Sequence, residues 1–177
     1  MDSELLYYSA ANGKITKKLL AALTKSDNTT PFLNFKNYQT VAKVVDVYDG
    51  DTVKVVMPVF KTQTFRFSVR ISRIDCPEIR PKTKDVLKKK IEKEFAIEIR
   101  EYTKKLLLNK YVRLDCKGLD KYGRLLAEIY FTYGEKRDVN FSDHLINKRM
   151  AVLYDGGTKV KDVCLALGRV SLREEKN

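Results

Sequence analysis

Histidine is almost missing from this chain and cysteine is sparse: one His, at position 144, and three Cys, at 76, 116 and 164, among 177 residues. A lone histidine excludes a histidine-rich metal site and makes the usual imidazole proton shuttle improbable. Three cysteines, odd in number, far apart and without a CxxC pair, argue against a disulfide framework and a structural zinc site, and point to a reducing compartment. Between Met1 and Leu20, charged Asp2, Glu4, Lys14, Lys17 and Lys18 break up the apolar residues, so no signal-type run or membrane span is present there. Internal repeats and low-complexity tracts are lacking too. These absences predict a soluble, intracellular protein.

What the chain has in excess is positive charge. Its 35 Lys and Arg against 23 Asp and Glu give a formal charge of +12, spread along the sequence instead of confined to a tail. Such a surplus attracts polyanions, although surface lysines also serve solubility alone. The 44% apolar content is enough for one core, and the length demands no second domain.

Residues 1–40 read as an N-terminal extension, partly helical or flexible: a helical pattern from Ile15 to Leu23, then a turn-rich stretch from Ser26 to Pro31. From Val41 the texture becomes β, and residues 41–177 read as one domain. Strand patterns run over Val41–Val47 and Thr52–Met57, joined through an Asp49–Gly50 turn, and over Thr64–Ile74. In the third, Phe65, Phe67, Val69 and Ile71 alternate with Arg66, Ser68, Arg70 and Ser72, which predicts that Arg70 points away from the core.

Between Lys82 and Leu108 the period becomes helical, with Leu87, Ile91, Phe95, Ile99, Tyr102 and Leu106 as the core-facing stripe. Strand patterns return at Tyr111–Cys116 and Arg124–Phe131, followed by a turn at Tyr133–Glu135 and helical patterns over Val139–Lys148 and Val160–Leu172. Five short strands interrupted by a helix predict an α+β fold, mainly β: a five-stranded Greek-key barrel of the OB type with about three packed helices.

Five polar residues fall at the ends of these strand patterns: Asp51, Arg70, Asp75, Glu78 and Arg124. Antiparallel pairing brings Asp51 and Asp75 to one rim. Two carboxylates at one point repel unless a cation lies between them, and a hard divalent ion with oxygen ligands, calcium above all, relieves the repulsion. Glu78, held near Asp75 by the restraint of Pro77, is placed to orient or deprotonate a water. Arg70 and Arg124 supply bidentate donors for phosphate oxygens and for the charge that grows in a five-coordinate transition state. Taken singly, each residue is an ordinary turn former or exposed strand residue; the set together points to phosphodiester chemistry. Tyr122 is a candidate for stacking on a base, whereas Tyr130 and Tyr133 read as packing residues and His144 as structural.

The arrangement resembles the staphylococcal nuclease, or thermonuclease, family. The residues that carry the likeness are Tyr48, Asp49, Gly50, Asp51, Thr52 and Val53; Arg70 ahead of Ile74, Asp75, Cys76, Pro77 and Glu78; and Asp120, Lys121, Tyr122, Gly123 and Arg124 with Ala127 and Tyr130. A weaker match runs through Asn140, Leu145 and Ala151 to Tyr154, so the likeness spans about residues 41–172. It implies that Asp51, Asp75 and the Cys76 carbonyl bind Ca2+, with Thr52 supporting them. It further implies that Glu78 is the general base or water positioner, that Arg70 and Arg124 hold the scissile phosphate, and that Tyr122, Tyr154 and Lys121 contact the nucleotide. The implied activity is hydrolysis of DNA and RNA with little sequence preference, on single-stranded or frayed substrate, releasing 3′-phosphates.

The chain departs from the pattern at Cys76, where threonine is usual. A backbone ligand survives that change; a side-chain hydrogen bond does not. Related barrels that have lost their acids and arginines act only as nucleic-acid-binding or scaffold modules. Retention of all five polar residues is what favours an enzyme here.

Overall fold

The structure, a computed structural model, describes residues 17–60, 63–157, 160 and 162–169. The chain divides into two compact units, residues 1–33 and 34–177. The first contains helix α1, Lys17–Thr24, none of whose residues is buried. Its last turn is closed by the Thr24 hydroxyl on the Leu20 carbonyl, and a turn built on Asp27 follows. Residues 15 and 16 of the expected helical pattern lie outside the described residues.

The second unit is a closed mixed barrel. Strands β1 (Gln39–Val47), β2 (Thr52–Phe60) and β3 (Gln63–Ile71) form an antiparallel meander, and β5 (Tyr111–Leu119) pairs with β1 and β6 (Leu125–Tyr133). Parallel pairing of β3 with β6, Val69 with Leu125 through Ile71 with Ala127, closes the ring of five strands. Strict alternation sends one face of each strand inward: Val53, Val55 and Met57 from β2, Val112, Leu114 and Cys116 from β5, and Leu125, Ala127, Ile129 and Phe131 from β6. A bulge between Val44 and Asp46 shifts β1 by one residue, so that Val47 and not Asp46 enters the core.

Helix α2, Val86–Leu107, starts at Asp85, whose carboxylate accepts the Lys88 N–H at 3.0 Å, and ends with Lys104 and Lys105 beside its negative pole. It begins four residues later than the expected Lys82. Phe95, Ala96, Ile99, Thr103 and Leu107 are its buried residues, whereas Leu87 is exposed and drops out of the expected stripe.

The third strand ends at Ile71 and not at Ile74. Arg73 adopts a left-handed φ of 68°, and Ile74–Asp75 becomes a separate strand, β4, paired with β8, Val152–Leu153. A strand absent from the sequence expectation, β7 (Lys136–Asn140), pairs with β6 after the turn at Gly134. The helix expected over Val139–Lys148 is α3, Phe141–Asn147, capped by the Asn140 side chain on the N–H groups of Ser142 and Asp143. Within the expected Val160–Leu172 helix, the described residues form one turn, α4 (Val163–Ala166); residues 161 and 170–172 lie outside them. Among the described residues, no helix is long and apolar enough to cross a membrane.

Candidate active site at the barrel rim

The β1–β2 turn sets the site. Asp49 accepts the Asp51 N–H at 3.1 Å, and the Tyr48 N–H bonds the Thr52 carbonyl at 3.0 Å, closing a tight hairpin. Gly50 is required by space: a Cβ there would stand 2.6 Å from Ile99 Cγ2 and 2.8 Å from Cys76 Sγ. Glycine therefore lets the turn seat against both α2 and the Asp75–Cys76 segment. The Asp51 carbonyl accepts the Ile71 N–H at 2.8 Å, which ties the turn to the end of β3.

Arg70 lies between the two acids that the sequence brings to this rim. Its Nη1 is 3.0 Å from Asp51 Oδ2 and its Nη2 is 2.9 Å from Asp75 Oδ1, while Nη1 also donates to the Ile71 carbonyl. The Thr52 hydroxyl donates to Asp51 Oδ1 at 3.1 Å, and the Cys76 N–H donates to Asp51 Oδ2 at 2.9 Å. Asp51, Thr52, Arg70 and Asp75 are all buried. Arg70 does leave the hydrocarbon core, as alternation requires, but the acidic turn and β4 enclose it; outward from the barrel is not outward to solvent.

Arg70 acts on three carboxylates: it pairs with Asp51 and Asp75, and its charge also pulls on Asp49. Burial pushes the Asp51 carboxyl up to about 7, with Arg70 pulling it down and Asp49 and Asp75 adding to the rise. Burial also raises Asp49. The Cys76 thiol is forced well above its ordinary range, by burial first and then by Asp51 and Asp49, which makes it an inert filler and not a reactive thiolate.

Arg124, Lys121 and Tyr122 gather on the turn between β5 and β6. Asp120 organises them: Oδ1 accepts the N–H groups of Tyr122 at 2.8 Å and Arg124 at 2.9 Å, and Oδ2 takes Arg124 Nε at 2.7 Å. The Tyr122 ring is 73% exposed, with Lys121 Nζ 5.2 Å and Arg124 Cζ 5.6 Å from its centroid. The parallel ladder pairs Arg70 with Leu126, so Arg124 stands two residues earlier on the same outward face and at the same end of the barrel.

Glu78 is exposed, and its backbone N–H donates to Glu92 Oε1 on α2 at 3.1 Å. Sequence reasoning missed Glu92. Its carboxyl is raised by burial and, despite the Glu78 N–H, by the neighbouring charges of Asp162, Glu78 and Asp75. Tyr154 follows β8; its N–H bonds the Arg73 carbonyl at 2.8 Å and its hydroxyl the Gly157 carbonyl at 3.2 Å. Arg73 was missed as well: it reaches Glu128 on β6 at 3.5 Å and pairs with Asp143 on α3, while Asn140 donates to Glu128. Nothing in a period-2 or helical pattern marks a residue whose role comes from a left-handed turn.

Among the described residues, no three His, Cys, Asp or Glu side chains form a group that would hold a metal ion on its own. The two buried rim carboxylates nevertheless suit a hard divalent cation. Both offer carboxylate oxygens at one place, and hard divalent ions complete such shells with water, backbone or phosphate oxygens.

Fold and site together define a basic OB barrel with buried acids bridged by Arg70 at one rim and Arg124 at the same end. The family model described as staphylococcal nuclease homologue matches residues 68–166, and the chain belongs to that family. No curated protein matches the chain. The family is nuclease-like, and its domains bind nucleic acids in general.

Proposed function

We propose that the protein is a calcium-dependent phosphodiesterase that hydrolyses DNA and RNA with little sequence preference and leaves 3′-phosphates. The observation that carries this reading is Arg70 bridging Asp51 and Asp75 at the rim, with Arg124 on the same face of the β3–β6 ladder.

Asp51 and Asp75, with the Cys76 carbonyl, would hold the ion, and Thr52 fixes the Asp51 oxygen through its hydroxyl. When bound, the ion supplies a Lewis acid that neutralises phosphate charge. Arg124 offers the Nη side of its guanidinium to the phosphate oxygens, held in direction by Asp120 through Nε, and Arg70, which here bridges Asp51 and Asp75, would supply the second positive charge at the phosphate. Glu78 takes a proton from the attacking water or orients it; the water oxygen bonds to phosphorus as the phosphorus–O5′ bond breaks, the O5′ oxygen leaves as a 5′-hydroxyl with a proton from solvent, one of the two arginines easing its departure, and the phosphate stays on the 3′ side. Tyr122 offers its exposed ring to a base, with Lys121 and Tyr154 as further contacts to the nucleotide.

The test is digestion of single-stranded DNA and RNA in roughly millimolar calcium, the weak range expected of an open carboxylate site, with and without chelator. Glu78→Gln and Arg124→Ala are each expected to lose about 10²-fold or more in kcat. Intact substrate in calcium, with tight binding retained, would make the chain a non-catalytic nucleic-acid-binding or scaffold module. Equal cleavage in chelator would remove the metal from the reading.

A further inference from the structure

At the end of the barrel away from the rim, the outward faces of β1, β5, β6 and β7 border a shallow groove of about 260 Å³. Val41, Tyr111, Arg113, Tyr130, Arg137 and Asp138 line it. Register builds it: Val41 pairs with Arg113 and Lys43 with Tyr111 across β1–β5, and Arg113 pairs with Tyr130 across β5–β6. Tyr111 is 75% exposed and Val41 58%, an unusual outlay of apolar surface on a sheet face.

Arg113 lies 3.8 Å over the Tyr130 ring and is held by Asp138 at 3.2 Å, so its charge is compensated and its plane fixed. Other cations lie close by: Arg137 lines the groove, Lys43 is paired across β1–β5 with Tyr111, and Lys110 and Lys136 adjoin Tyr111 and Arg137 in sequence. None of the four makes an ion pair among the described residues; Glu135 and Asp138 are the acids beside them in sequence, and Asp138 is taken by Arg113. An exposed aromatic ring beside cations that make no ion pair among the described residues matches a flexible polyanion that carries flat bases. An acidic peptide would satisfy the cations but leave Tyr111 without a partner.

We propose that this groove is a second nucleic-acid contact, taking a single-stranded DNA or RNA segment with a base on Tyr111 and phosphates on Arg137 and the lysines. Along β6, Tyr130 in the groove lies six residues beyond Arg124 at the rim, about 20 Å at roughly 3.3 Å per residue. At about 3.4 Å per stacked nucleotide, a strand spans that distance in about six nucleotides. A strand held at the rim reaches the groove only when it is longer than about six nucleotides. The contact goes beyond the cleavage reading and is measured without it.

Binding of fluorescent single-stranded oligonucleotides of about 4 and about 16 nucleotides, in chelator so that nothing is cut, tests this. Wild-type protein is expected to favour the long oligonucleotide. Tyr111→Ala combined with Arg137→Ser is expected to weaken the long one roughly tenfold and flatten its salt dependence, with the short one unchanged. Tyr111→Phe with Arg137 intact is expected to bind as wild type, because the ring face is retained. Unchanged long-strand affinity in the double variant, equal losses on both lengths, no binding by wild type, or displacement by poly-glutamate as effective as by DNA would each overturn the proposal. Absence of cleavage by wild-type protein would count against the proposed activity and not against this contact.

Discussion

Arg70 holds Asp51 and Asp75 with different nitrogens of one guanidinium, at 3.0 and 2.9 Å, inside a site where all three side chains are buried. Two acids brought from a β1–β2 hairpin and a separate two-residue strand are thus joined by a fork from β3. Removing a single partner from a buried ion cluster leaves charge without compensation. Arg70→Ala is therefore expected to cost about 3–5 kcal/mol in urea denaturation at neutral pH. The cost should shrink in acid, where Asp51 is protonated and no longer needs the guanidinium. Arg70→Lys retains the charge but cannot span both acids, and is expected to fall between. An alanine variant as stable as wild type at pH 7 would mean that the bridge contributes nothing.

Gly50 and Cys76 are coupled through space. An alanine methyl at position 50 would meet Cys76 Sγ and Ile99 Cγ2 well inside contact distance, so Gly50→Ala is expected to cost about 1–3 kcal/mol by overpacking. It should also displace the turn that carries Asp51, lowering activity beyond the loss of stability. Cys76→Ala removes the sulfur and opens part of that space. The double variant Gly50→Ala with Cys76→Ala should then be less destabilised than the sum of the single variants, by about 0.5 kcal/mol or more. Simple additivity in thermal melts would show that only Ile99 resists.

The barrel was legible because its signal is alternation, and alternation survives in sequence wherever one face is buried. Leu125, Ala127, Ile129 and Phe131 all enter the core as the pattern requires. The β7 strand was not legible: Lys136, Arg137, Asp138 and Asn140 surround a single Val139, so an edge strand with two wet faces leaves no apolar period. The rim was legible only in part. Asp51 and Asp75 could be placed near each other by pairing and Arg70 could be placed outside the core, but its burial between the two acids could not be read, because period 2 distinguishes two faces and not what covers the outer one. Glu92 and Arg73 depend on where α2 docks and on a left-handed turn at a non-glycine residue, neither of which composition or spacing encodes.

Glu92 fixes the backbone of Glu78, and its effect on turnover should differ from that of a packing residue. Glu92→Ala removes the acceptor of the Glu78 N–H and, on the proposed role of Glu78, is expected to lower kcat roughly tenfold with KM and the melting temperature little changed, because it loosens the segment that carries Glu78. Glu92→Gln retains a carbonyl oxygen at that place and is expected to recover most of the rate. If the glutamine variant is as slow as the alanine one, the charge of Glu92 matters and its hydrogen bond does not.

His144 gives the barrel a pH dependence whose sign follows from its surroundings. Its Nε2 is 2.7 Å from the Tyr102 hydroxyl, and Phe131, Phe141 and Tyr133 pack around the ring. Burial first, and the Lys148 ammonium second, hold its pKa below the ordinary 6.5. The unfolded chain therefore binds more protons than the folded one in this range, so stability rises with pH. The contribution is fully present above about pH 6.5 and is lost as pH falls below that value and through the depressed folded pKa. Asp51 works in the opposite direction: its carboxyl, raised to about 7, makes the folded state the better proton acceptor between the ordinary aspartate range and neutrality. The net profile mixes both slopes, and only a difference between variants separates them. Urea midpoints of wild type and His144→Gln, compared between about pH 5 and 8, should converge towards the acid side as the wild type loses what its neutral imidazole contributes. A gap between the two that stays constant across this range would mean that His144 does not titrate differently in the folded protein, and that its role is packing alone.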